Sequence, residues 1–115
     1  MSDEFSALVS ARLDEARVLL TQATDGQPLC RIDAGAGPHV EAIKFREGGA
    51  AALADLRNAL KKDGPSGALD RASAKWRHEL ARHRARGSAA AWISYAQGGL
   101  ASLEELRSPM ADEHR

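Results

Sequence analysis

The sequence is poor in rings, in β-branched side chains and in sulfur, and each shortage excludes something. Aromatic residues make up 4% of the 115 positions, and Val, Ile and Thr are also scarce, so a sheet held by cross-strand pairs of such residues has too few of them. One cysteine, Cys30, excludes an internal disulfide and leaves the fold to its core alone. No apolar run approaches the roughly 18 residues that a membrane span needs. Asp3 and Glu4 stand where a signal peptide would carry basic residues, so the expected location is the cytoplasm, with no membrane partner. Lys plus Arg and Asp plus Glu are 16 each, so no global field draws the chain to an anionic partner.

Chemistry-bearing motifs are also missing. Gly35-x-Gly37 precedes a helix start but lacks a following Lys-Ser/Thr pair and a third glycine, and it reads as a connector rather than a phosphate cradle. Glu79 and His83 share a helix face, yet two ligands do not make a metal site, and His39, His78 and His114 have no spacing that joins them. The carboxylate pairs Asp14-Glu15 and Glu104-Glu105 diverge around a helix and do not form an acid/base couple. Cys30 has no neighbouring base and reads as a small apolar side chain. No catalytic residue, cofactor or metal is expected.

What is present is helix. Phe5, Leu8, Val9, Leu13, Ala16, Leu19, Leu20 and Ala23 recur at three-and-four spacing, predicting a helix from Ser2 to Thr24 that Asp25-Gly26 stops. Gln27 to Pro38 reads as a longer loop, with Leu29, Cys30 and Ile32 as a short strand at most. Gly37-Pro38 starts a second helix that runs to about Lys62. Asp63-Gly64-Pro65-Ser66-Gly67 is the sharpest break, with Ser66 as a capping residue. A third helix places Leu69, Ala72, Trp76, Leu80 and His83 on one face. Gly87 ends it and Ser88 caps a fourth helix, Ala89 to about Arg107, and residues 109–115 read as a frayed tail. The expected fold is all-α: one domain over 1–108, with four amphipathic helices as two antiparallel hairpins in a bundle-like arrangement.

Residues 42–57 align with 92–107, with seven of sixteen positions identical, including Gly48-Gly49 with Gly98-Gly99. Phe45 with Tyr95 and Asp55 with Glu105 are conservative pairs. The apolar stripes keep phase through both glycine pairs at about 100° per residue, which predicts unbroken helices with Gly49 and Gly99 as helix-contact points. Phe45, Trp92 and Tyr95 are expected beside them.

Arg71, Lys75, Arg77, Arg82, Arg84 and Arg86 give residues 71–86 a local charge of +5, which the rest of the chain balances. Such a helix suits phosphates or an acidic protein, although basic residues near a helix C-terminus are also favoured by the dipole. With no chemistry to point elsewhere, the expected function is a non-enzymatic protein–protein interaction or regulatory role, as adaptor, inhibitor or accessory subunit. The alternative is a nucleic-acid-binding accessory protein using the basic helix. The partners expected are another protein and a second copy, the latter through the long apolar stripe of the first helix.

Overall fold

A computed structural model describes residues 2–24 and 38–113. Its helices are α1 (Ser2–Ala23), α2 (Pro38–Leu60), α3 (Pro65–Arg86), α4 (Ala90–Glu104) and α5 (Arg107–Glu113). The fold is all-α and bundle-like, with no strand among the described residues. None of these helices is long and apolar enough to cross a membrane. The loop expected over 27–38, Cys30 included, and His114 lie outside the described residues, Pro38 excepted, which begins α2.

Three local expectations need correction. The break after α2 is capped by Gly64, with Pro65 as the first helical residue, so Ser66 is already inside α3 and caps nothing. Pro fixes the helical φ and has no N–H to orphan, which lets α3 begin there. Gly87 takes the left-handed conformation expected of it, at φ +65°. Ser88, however, belongs to the end of α3: its N–H donates to the His83 carbonyl (2.9 Å) and its hydroxyl meets His83 Nδ1 (2.9 Å), while Ala89 precedes α4. The expected frayed tail is helical through Glu113 and sends Met110 against the core. Arg107 holds α5 in place, pairing with Asp70 of α3 (3.0 Å) and with Glu104 (3.3 Å).

The most extensive packing is between α2 and α4, with α1 against α2 and α3 against α4. Ser94 Oγ donates to the Glu41 carbonyl (2.8 Å), Phe45 meets Gly98, and Gly49 meets Ser102. These pairs keep a constant offset along both chains, so α2 and α4 run in the same direction. Along α3 and α4 the pairs His83 with Trp92 and Trp76 with Gly99 run oppositely, and Asp70 with Arg107 continues the trend into α5, making that neighbour antiparallel.

Both glycine pairs lie inside unbroken helices. The closest approach falls one residue before the glycines singled out from phase. A Cβ at Gly48 would overlap the Tyr95 carbonyl, and one at Gly98 would overlap the Phe45 carbonyl. Backbone therefore touches backbone, closer than side-chain-separated helices pack. The contact is reciprocal: Phe45 and Gly48 correspond to Tyr95 and Gly98 in the alignment, and each glycine receives the other's aromatic position. Gly49 and Gly99 do separate work. Gly99 lies under the ring of Trp76, and Gly49 faces Ser102 Oγ, 2.6 Å from where a Cβ would stand.

Around this crossing the core gathers Phe5, Val9 and Leu13 from α1, Leu53 and Leu56 from α2, Leu69 and Trp76 from α3, Leu103, and Leu106 just before α5. Of the α1 stripe proposed for self-association, Phe5, Val9 and Leu13 are buried within the chain, Leu8, Ala16, Leu20 and Ala23 are half-buried and Leu19 is exposed.

Gly48→Ala and Gly98→Ala are each expected to lower the urea midpoint, because the overlap is with backbone, and overpacking at the upper end of about 1 to 3 kcal/mol exceeds alanine's helix advantage of roughly 1 kcal/mol. Gly67→Ala is the control, because the nearest atom to its Cβ position, outside the local backbone, is 3.9 Å away; its midpoint should hold or rise. A Gly48→Ala protein as stable as wild type would show that the helices separate at no cost.

Candidate functional site

Two places flank the α2–α4 crossing, one filled and one open. In the filled one, α3 lays the indole of Trp76 over Gly99. The ring packs at 5.3 Å from Tyr95, tilted by 42°, and its Nε1 donates to Asp55 Oδ2 at 2.9 Å. Lys75 donates to the same oxygen at 2.8 Å. A large ring with one polar edge is held by a glycine floor, an aromatic wall and a carboxylate. Burial raises the Tyr95 hydroxyl above its ordinary pKa of 10.0, and the charges of Glu47 and Asp55 push in the same direction.

Beside this cluster Trp92 is 46% exposed, stacked on His83 with ring centroids 6.3 Å apart, and Lys44 Nζ lies 4.7 Å above its ring. Trp92 therefore sits at the margin, not in the filled interior expected beside the glycines. Glu47 Oε2 is 3.2 Å from Lys44 Nζ but lacks hydrogen-bond alignment, so Lys44 is shared between a carboxylate and a ring.

On the other side of the crossing is a groove of about 590 Å³. Gly49 and Ser102 form its floor, Phe45, Ala16 and Leu19 its apolar wall, and Glu41, Arg46 and Glu105 its rim. Phe45 is 42% exposed and Leu19 40% exposed, both large apolar side chains left half in water around one concavity. The volume lies within the usual range for ligand sites.

The basic helix is placed less favourably for phosphates. Arg71 reaches Asp63 (3.6 Å), Lys75 reaches Asp55 (2.8 Å), Arg77 reaches Glu104 (3.4 Å) and Arg82 reaches Glu79 (2.9 Å). Only Arg84 and Arg86 of the six have no acidic partner among the described residues. The charge excess read along the sequence is thus largely met by carboxylates of α2, α3, α4 and the turn before α3. Glu79 and His83, the one pair with ligand spacing, are drawn apart, one to Arg82 and the other to Ser88 and Trp92. No cluster of three metal-ligating side chains occurs among the described residues.

The groove itself was not foreseen. Its signal lay in the aligned pairs Phe45 with Tyr95 and Asp55 with Glu105, but nothing in the sequence tied those positions to Trp76 on another helix. Comparison with protein-family models, with curated proteins and with solved structures returns no match.

Tyr95 is the single tyrosine of the chain, so a phenolate absorbance titration reads it alone. Its midpoint should lie above 10.0. A pKa raised by folding gives stability that is complete below the unfolded value and is lost as pH climbs through the folded one. Stability should therefore fall at alkaline pH, and Tyr95→Phe should flatten that fall. An ordinary midpoint in the folded protein would contradict the packing of Tyr95 against Trp76.

Proposed function

We propose that the protein is a non-enzymatic interaction or regulatory protein that docks another protein at the Gly49 groove. The observation that carries this reading is the pair of half-exposed side chains, Phe45 and Leu19, converging on one concavity. Apolar side chains scattered singly over a surface need no explanation, but a concave apolar patch with a charged rim has the anatomy of a binding site. Rings at the centre of such a patch are the usual energetic anchors. The nucleic-acid reading has less support, because four of the six basic side chains on which it rests already have carboxylate partners.

A photo-crosslinking amino acid at position 19 or 45, introduced in the native host, should give one discrete protein adduct, while the same group at exposed position 78 gives none. Failure at both groove positions would remove the docking reading. Duplex DNA binding that weakens steeply with salt and disappears on joint Arg84→Ala and Arg86→Ala substitution would put the basic helix in its place.

A further inference from the structure

We infer that the groove at Gly49 is a seat for an indole side chain carried on a helix of the partner protein, which deepens and rests on the docking reading above. The template is inside the molecule. Trp76 is held by Gly99 beneath it, Tyr95 beside it and Asp55 on its N–H. In the register that aligns 42–57 with 92–107, the counterparts of these three residues are Gly49, Phe45 and Glu105, and all three line the groove. The floor, wall and acceptor recur without the ring.

The helix that supplies the ring has a counterpart as well. Arg12 of α1 approaches Glu105 (4.0 Å) as Lys75 of α3 approaches Asp55 (2.8 Å). In that register Phe5, Val9 and Leu13 stand for Ala68, Ala72 and Trp76, and all six are buried. Leu13 takes the register position of Trp76 but lies in the core and does not line the groove, whose α1 side is Ala16 and Leu19. The atoms nearest to the Cβ position of Gly49 belong to Ser102 and Gly98 of α4. α3 packs on both α2 and α4, whereas α1 packs on α2, so among the described residues no helix lays a ring across this side.

The groove also has what an indole needs. Phe45 offers a ring face or edge left 42% exposed, and rings prefer tilted contacts of the kind Trp76 makes with Tyr95. The Glu105 side chain is 70% exposed, and its single ion-pair contact among the described residues is the long one to Arg12, so its oxygens retain capacity for an N–H donor. The Ser102 hydroxyl stands over Gly49 where the Trp76 ring stands over Gly99, so an indole seated here rests on that hydroxyl and against Phe45 rather than on the glycine itself. Residues 25–37 contain no aromatic residue. The remaining rings, Phe5, Trp76, Trp92 and Tyr95, are packed elsewhere. The indole must come from another molecule, and Glu41 and Glu105 at the rim favour a basic residue next to its tryptophan, as Lys75 is next to Trp76.

The probe is a synthetic peptide of residues 65–86, which carries Lys75 and Trp76 on a helix-forming sequence, titrated into the full-length protein while amide chemical shifts are followed. Saturable shifts at Gly49, Ser102 and Glu105 are expected. Replacing the peptide's tryptophan by alanine should abolish them, and 1-methyltryptophan, which has no N–H, should weaken binding about tenfold. Glu105→Ala in the protein, at an exposed position, should weaken it to a similar degree without changing the fold. Equal shifts from the alanine peptide overturn the assignment. So do shifts centred on Gly99 and Asp55, which would mark exchange into the seat of Trp76, and so does the absence of shifts. If position 45 crosslinks to a protein while the peptide moves none of the groove amides, the indole assignment falls and the docking reading stands; peptide binding without any adduct removes docking and with it the partner-borne indole.

Discussion

Backbone contact between α2 and α4 is the constraint on which the rest of the structure depends. Gly48 and Gly98 each admit the carbonyl of the other helix's aromatic position, and no side chain fits between. Two interior glycines cost roughly 2 kcal/mol of helix propensity, so the crossing persists because close packing returns more than that. Once the two helices are this near, α1 and α3 cannot insert between them and lie on the outside, α1 against α2 and α3 across both α2 and α4. The layering of the bundle follows from four missing side chains at 48, 49, 98 and 99.

The same crossing generates two similar sites, and the residue facing each decides its fate. Opposite Gly99 the chain presents tryptophan, which covers the glycine and finds a hydrogen bond on Asp55; over Gly49 it presents only the Ser102 hydroxyl. α3 spans both helices of the crossing and α1 packs on α2, so one side becomes core and the other stays a groove.

Charge follows the same logic of placement. The excess positive charge of residues 71–86 looks like a polyanion surface when read along the chain. In space Asp55, Asp63 and Glu104 are brought beside it. Exposed ion pairs of this kind add little stability each, but they remove most of the unneutralised charge that a phosphate would require.

The helices were legible in the residues alone: the stripe spacing, the Pro and Gly breaks at 37–38, 63–67 and 87, and the unbroken phase through both glycine pairs are local properties, and helix periodicity is a local signal. It also marked Gly-Gly as a contact, though phase alone selected Gly49 and Gly99 rather than Gly48 and Gly98, because a stripe says which face is apolar and not where a neighbour comes nearest. Ser66 and Ser88 were misassigned for a related reason: a cap depends on where φ and ψ turn, and here Pro65 and Gly87 set that point. Pairing across the bundle was not legible there. Trp76 over Gly99 with its N–H on Asp55, Ser102 over Gly49, and Lys75 and Arg77 against Asp55 and Glu104 are contacts between separate helices, fixed by three-dimensional distance and invisible to any periodicity within one of them.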